Sequence, residues 1–147
     1  MVAVDTNILV YAHRADSAYY DAADRVVQDL AEGAAPWAIP WPCLYEFFAI
    51  VTHPRIYRPP TPVADAVLQI DAWLESPTLV LLHEGDAFWD GLRPLLAESA
   101  VQGGAVHDAR IAAICLRHGV KTLLSADRDF SRFPELRTEN PIRRACR

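Results

Sequence analysis

Four acidic side chains stand at the edges of apolar segments that lie far apart in this sequence. Asp5 directly follows the apolar run 2–4, and Glu46 is the only charged residue of a long apolar segment. Asp108 lies on the apolar stripe of a helical pattern, and Asp127 follows another apolar run. Carboxylates that converge repel one another unless some are protonated or a cation lies between them. Oxygen donors without a His or Cys cluster suit Mg²⁺ or Mn²⁺ better than zinc.

Each acid also has an ordinary structural explanation. Glu46 could lie at the rim of the protein in water, because glutamate is almost never fully buried without a partner. Asp108 would occupy the first turn of a helix, where the helix dipole favours a carboxylate by roughly 0.3–1 kcal/mol. Asp127 and Asp129 belong to a polar turn, and aspartate commonly stabilises turns. Convergence of the acids therefore depends on the fold that carries them.

The hydrophobic pattern predicts strands that alternate with helices. Short apolar or β-branched runs predict strands at 2–4, 37–39, 78–82 and 121–124, with a further short strand as an option near 136–138. Helical spacing predicts helices at 18–31, 42–52, 63–74, 85–98 and 105–118. Pro94 should kink or interrupt the helix at 85–98. Loops are predicted directly after Asp5 and over the proline-rich segment 53–62.

This alternation indicates an α/β fold with a mostly parallel central sheet of four to five strands, flanked by helices on both faces. Ligand sites in such folds form at the carboxyl ends of the strands. Asp5 and Asp127 both follow predicted strands and should meet at that edge. We expect one domain over residues 1–141 and a basic C-terminal tail over 142–147.

Composition restricts the class of protein further. The chain has 147 residues with a net charge of −5, which argues mildly against binding nucleic acid through bulk charge. No apolar run approaches the roughly 20 residues that cross a bilayer, and no basic leader precedes the first apolar residues. We therefore expect a cytoplasmic protein that does not enter membranes. The cysteines form no C-x-x-C pair, so they are expected to pack as small hydrophobic residues.

A resemblance to a known family rests on three segments of the sequence and on the glutamate between the first two. VDTNILVYA, HDARIAAICLRHGV and LLSADRDFSRFP occur in this order, with Glu46 in a helix between the first and the second. Together they resemble the PIN-domain ribonucleases, and closely the VapC toxins of bacterial toxin–antitoxin pairs. The likeness extends from Val2 to about Pro141. It implies a single PIN-like domain that uses Mg²⁺ or Mn²⁺ to hydrolyse RNA, is masked by a small VapB-like antitoxin and forms a homodimer.

The resemblance also implies roles for individual residues. By position, Asp5, Glu46, Asp108 and Asp127 match the catalytic acids, and the three aspartates match the metal ligands.

Three further residues match supporting positions. Asn7 matches the asparagine that orients the first aspartate, although local capping of a loop would explain it equally well. Ser125 stands where relatives often have Thr or Ser, and Asp129 matches a further acid of the same turn.

An acidic pocket that accepts RNA also needs basic residues at its approach, because phosphate contacts position the strand. Taken individually, each arginine is more often a solvated surface residue. The candidates are Arg14, Arg55, Arg58, Arg110, Arg128 and Arg132.

Two other functions compete with the nuclease. A phospho-accepting, receiver-like signalling module also places aspartates at strand ends, but it expects clustered acids after the first strand and a lysine after a late strand. Here Asp5 stands alone, and Lys121 comes before its strand. The other alternative is a catalytically silent PIN-fold binding protein. The complete set of acids argues against it.

Overall fold

The computed structural model describes residues 1–142 of the chain. Over these residues the strands are β1 (Val2–Val4), β2 (Trp37–Pro40), β3 (Leu79–Leu82), β4 (Thr122–Leu124) and β5 (Arg137–Glu139). They form one parallel sheet in the order β3-β2-β1-β4-β5. The predicted α/β class and parallel sheet are confirmed, and the optional strand near 136–138 is present as β5.

The helices connect successive strands. They are α1 (Thr6–His13), α2 (Tyr20–Glu32), α3 (Trp41–Val51), α4 (Val63–Leu74), α5 (Phe88–Ser99) and α6 (Ala105–Arg117), and a 3₁₀ turn follows at Arg128–Arg132. Pro94 lies inside α5, which continues past it to Ser99. None of the helices in the described part of the chain is both long and apolar enough to cross a membrane.

The loop predicted after Asp5 is wrong, because α1 begins at the next residue. The side chains of α1 point mainly inward, with Ile8 and Leu9 fully buried. Asp5 is the residue before the helix, yet its side chain makes no capping hydrogen bond to the helix backbone. Aspartate is a common residue type at the start of a helix, but here its carboxylate accepts hydrogen bonds from Ser125 and Cys43 of other segments.

The sheet is covered on both faces at its centre. Successive residues of a strand point to opposite faces, and all four residues of β2 are buried. Trp37 and Ile39 of that strand are fully buried, as are Phe47 on α3 and Ile114 on α6. Helices therefore enclose both sides of the sheet, as predicted.

The order of the strands reverses at β1. From β1 the chain proceeds outward through β2 to β3, then returns to place β4 and β5 on the other side. Crevices at such reversal points, outside the carboxyl ends of the strands, are the usual ligand sites of open parallel sheets. Asp5 follows β1 and Asp127 follows the neighbouring β4, so both lie at this crevice. Ile142, the last described residue, is buried, and the rest of the predicted basic tail lies outside the described residues.

Candidate active site

Asp5 is a buried carboxylate with side-chain donors on both oxygens. Its residue is 5% exposed. The Ser125 hydroxyl donates to Oδ2 at 2.7 Å, and the Cys43 thiol donates to Oδ1 at 3.6 Å. Burial raises the pKa of Asp5 to about 6, against the opposing effect of the hydrogen bonds from Ser125 and Cys43. The site thus holds this carboxylate in one orientation through fixed donors.

Ser125 and Asn7 connect α1 to the loop after β4. The Ser125 hydroxyl accepts hydrogen bonds from the Asn7 side chain at 3.3 Å and from the Asp127 amide at 3.0 Å, while it donates to Asp5. Asn7 Nδ2 also lies 3.4 Å from Asp5 Oδ2, and Asn7 Oδ1 accepts from the Ala126 amide at 3.1 Å. Asn7 therefore bridges two distant segments and does more than cap a local loop.

Glu46 lies on α3 and is held by the first residue of α1. The Thr6 hydroxyl donates to Glu46 Oε2 at 2.7 Å. Thr6 is 6% exposed, whereas Glu46 is half-buried. Glu46 is therefore not a free rim glutamate in water: it faces the same crevice as Asp5, and its charge contributes to the raised pKa of Asp5.

Three aspartates form a second acidic group at the mouth of the crevice. Asp108, in the first turn of α6, and Asp127 and Asp129, at the 3₁₀ turn, each offer a carboxylate oxygen within 4.8 Å of the others. We call these three residues the aspartate cluster. The pKa of Asp108 is raised to about 6, mainly by burial and in addition by the charges of Asp127 and Asp129. Asp5 and Glu46 are not members of this group, although the charge of Glu46 also acts on Asp108.

The donor chemistry of the crevice fits a hard divalent cation. The aspartate cluster supplies only carboxylate oxygens, which are the ligands that Mg²⁺ and Mn²⁺ prefer. Mutual repulsion among its members is opposed by the charge of Arg132, which lowers the pKa of Asp108. A bound cation would relieve this repulsion directly.

The six candidate arginines divide into two groups. Arg14 pairs with Asp16 at 2.7 Å and lies over the Tyr57 ring at 4.3 Å, and Arg110 pairs with Glu84. The other four are exposed, and none forms an ion pair within residues 1–142: they are Arg55, Arg58, Arg128 and Arg132. Arg14 and Arg110 are thus already engaged in contacts within the protein.

Sequence reasoning missed two residues that contact the acids. Thr6 directly follows Asp5, but nothing in its type marked it as the donor to Glu46. Cys43 was interpreted as a packing residue, and it is fully buried. Its spacing from Glu46, three residues along one helix, places both on the same face and could have signalled a shared environment.

The receiver-like alternative lacks its lysine at this crevice. The Lys121 amide donates to the Met1 carbonyl at 3.0 Å, next to the amino ends of β1 and β4. Asp5 follows the opposite, carboxyl end of β1. A lysine at the amino ends of the strands does not reach an acid at their carboxyl ends.

Comparison with known proteins shows the family of this chain. The sequence model of the PIN domain family matches residues 2–136. Ribonuclease VapC43 of Mycobacterium tuberculosis is 37% identical over 142 residues, which cover 97% of this chain and 96% of the relative.

Two solved structures share the fold at lower identity. VapC20 of Mycobacterium tuberculosis, described as a Sarcin-Ricin loop cleaving toxin, has a TM-score of 0.66 at 18% identity and covers 89% of this chain and 93% of its own. A toxin-antitoxin complex from Klebsiella pneumoniae has a TM-score of 0.61 at 16% identity and covers 96% of this chain and 98% of its own. The chain therefore belongs to the PIN-domain family and, within it, to the VapC ribonucleases.

Proposed function

We propose that this protein is a divalent-metal-dependent endoribonuclease and the toxin of a toxin–antitoxin pair. The observation that carries the proposal is the aspartate cluster, with three carboxylates within 4.8 Å of one another beside the buried Asp5. Membership of the VapC ribonucleases identifies the bond that such a site would hydrolyse, an RNA phosphodiester.

In this proposal Asp5, Asp108 and Asp127 hold Mg²⁺ or Mn²⁺, and Asp129 supports them from within the aspartate cluster. When bound, such an ion would offset the negative charge of the phosphate and would lower the pKa of a water molecule, so that hydrolysis becomes feasible at neutral pH. Asp5 Oδ1 remains available for this task, because its only side-chain donor within the described residues is the weakly donating Cys43 thiol.

The remaining polar residues position these acids. Ser125 orients Asp5 through its 2.7 Å hydrogen bond, and Asn7 links the two segments that carry them. Thr6 holds Oε2 of Glu46, which leaves Oε1 to accept a hydrogen bond from the attacking water. Glu46 would thereby orient that water toward the phosphorus atom.

The direct test is RNA cleavage by the purified protein with Mg²⁺ or Mn²⁺. We expect wild type to cut single-stranded RNA and Asp127→Asn to lose about a hundredfold or more of kcat, because one ligand charge is removed without a change in size. Asp65→Asn is the matched control, since Asp65 is an exposed acid on α4. Cleavage by Asp127→Asn at the wild-type rate would contradict the proposal.

Exposed arginines are proposed to guide the RNA strand to the acids. Arg128 and Arg132 lie on the same 3₁₀ turn as Asp129. Phosphate contacts from such residues make binding depend on salt. Charge reversal, Arg132→Glu, should weaken RNA binding and reduce the slope of log Kd against log salt by about one. Arg93→Glu is the control and is expected to leave that slope unchanged, because Arg93 is exposed on α5 and lies outside the 3₁₀ turn; equal slopes for Arg132→Glu and wild type would refute the role.

The proposed partners are a small VapB-like antitoxin and a second copy of the chain, in the cytoplasm. The solved toxin-antitoxin complex with the same fold supports the first. Large apolar side chains on the outer face of α4 are available for contact with another protein: Val63, Val67 and Leu68 are 62%, 45% and 64% exposed. The mass of the protein in solution, alone and co-expressed with its antitoxin, tests both partners; a monomeric mass in both samples would contradict them.

A further inference from the structure

A cleft of about 1010 Å³ adjoins the acidic crevice. Ser125 and Asp127 belong to the acidic site and also line this cleft. The carboxyl end of β5 forms its far wall, with Thr138 and Asn140 among the lining residues. Its size lies at the upper end of the roughly 300–1,000 Å³ of ligand pockets. A group bound here would therefore be a direct neighbour of whatever the acids bind.

Two tyrosines form the near wall of the cleft. Tyr11 comes from α1 and Tyr19 from the residue before α2, with ring centroids 5.1 Å apart and planes at 48°. Tyr19 is 45% exposed. The backbone carbonyl of Tyr19 accepts from the Ala23 amide at the start of α2, whereas its side chain makes no capping hydrogen bond. The ring of Tyr19 thus presents an open aromatic face and contributes little to the helix that follows.

Polar groups also line the cleft. Asn140 Oδ1 accepts from the Ile142 amide at 3.1 Å, which leaves Nδ2 as a donor without a partner among residues 1–142. Among residues 1–142, Arg128 is the only basic residue that lines the cleft. It forms no ion pair with any of these residues. Of the two acids in the lining, Asp127 belongs to the aspartate cluster, and Glu139 pairs with Arg137 at 2.6 Å. Within residues 1–142 the cleft therefore combines two tyrosine rings, a cation without an ion pair and an amide donor without a partner.

We propose that this cleft binds the nucleotide next to the scissile phosphate, with its unpaired base stacked on Tyr19. Unpaired bases bind proteins by stacking on aromatic side chains, and their edges then form hydrogen bonds with polar groups such as Asn140. Arg128 contacts the phosphate that links this nucleotide to its neighbour. The inference rests on the proposed ribonuclease function and adds a residue of this chain, Tyr19, that holds one unpaired base of the substrate beside the acids.

The test uses a short single-stranded RNA that wild type cleaves at one site, and a series in which one nucleotide near that site is abasic. Binding is measured by fluorescence anisotropy in EDTA, and kcat and KM are measured with Mn²⁺. We expect Tyr19→Ala to weaken binding and raise KM about tenfold, with little change in kcat. Tyr19→Phe keeps the ring and should bind like wild type. Tyr45→Ala is the control, since Tyr45 is 62% exposed on α3 and does not line the cleft.

The abasic series separates stacking from an indirect effect on the fold. At one position the abasic RNA should bind wild type about tenfold more weakly, and should bind Tyr19→Ala with no further loss. Normal binding by Tyr19→Ala, or a further loss with every abasic RNA, would overturn the inference. If Asp127→Asn abolishes cleavage while Tyr19→Ala behaves as wild type, only the cleft assignment fails. If wild type neither binds nor cleaves RNA, the proposed function fails with it.

Discussion

Two parts of the acidic site hold their carboxylates in opposite ways. Asp5 is buried and receives hydrogen bonds from Ser125, Asn7 and Cys43. Within residues 1–142 the donor to the aspartate cluster is a backbone group, the Asp129 amide, which donates to Asp127 Oδ1 at 2.8 Å. Asp5 is thus positioned by neutral donors, whereas the cluster brings like charges together at partly exposed positions.

Asp5 and Asp108 have similar pKa values, but different neighbouring groups act on the two carboxyls. Burial is the largest cause for both Asp5 and Asp108, each raised to about 6. For Asp5 the next largest effect is the opposing hydrogen bond from Ser125, while for Asp108 it is the charge of Asp127. The protein itself therefore preorganises Asp5, whereas a bound cation would relieve the repulsion among the carboxylates of the aspartate cluster. Single substitutions can separate these two modes.

Ser125→Ala should have the largest effect on the preorganised part. It removes the 2.7 Å donor to Asp5 and also the acceptor for the Asp127 amide. Loss of such a supporting hydrogen bond typically costs about 10–100-fold in metal affinity or activity, and we expect that loss in Mn²⁺ affinity by calorimetry and in kcat. Ser99→Ala, on α5, is the control. Unchanged Mn²⁺ affinity in Ser125→Ala would show that Asp5 needs no fixed donor.

Thr6→Val should have an intermediate effect. The substitution keeps the shape of the side chain but removes the hydroxyl that donates to Glu46. A net hydrogen bond contributes about 1 kcal/mol, so kcat should fall about fivefold while Mn²⁺ affinity changes little. Thr6→Ser restores the donor and should recover the rate. Equal rates for Thr6→Val and wild type would show that the orientation of Glu46 is unimportant.

Asp108→Asn should have the smallest effect of the three substitutions. It should stabilise the metal-free protein, whereas Ser125→Ala and Thr6→Val reduce activity. Because the folded pKa of Asp108 lies at about 6, above the unfolded value of about 3.9, the folded state binds protons more tightly between these values. The free energy of unfolding of wild type therefore falls as pH rises from 4 through 6. Asparagine stays neutral, so the variant should gain about 2–4 °C in Tm at pH 8 in EDTA and nothing near pH 4.

Thermal melts with and without Mg²⁺ complete this comparison. Mg²⁺ should raise the Tm of wild type, because a ligand that binds the folded state stabilises it, and should raise the Tm of Asp108→Asn much less. Asp65→Asn serves as control and should follow wild type in both conditions. A lower Tm for Asp108→Asn than for wild type at pH 8 in EDTA would contradict repulsion within the aspartate cluster.

Much of the architecture could be predicted from local pattern. The buried strands, including β2, are short β-branched or aromatic runs between turn residues, and α2, α4 and α6 show clear helical spacing. The exception is α1, where the run of Ile8, Leu9 and Val10 is β-prone and buried. There the tertiary contacts of the helix override the local preference, because its buried side chains pack against the rest of the core.

The amino-acid sequence by itself determined the α/β alternation, the positions of the acids along it and the family motifs, since all of these depend on residue type and short-range spacing. Only the tertiary structure decided which acids are neighbours. Asp108, Asp127 and Asp129 lie within 4.8 Å of one another, whereas Asp5 is enclosed by hydrogen bonds from Ser125 and Cys43. Those distances follow from the pairing of β1 with β4 and from the packing of the helices, which bring together residues more than a hundred positions apart.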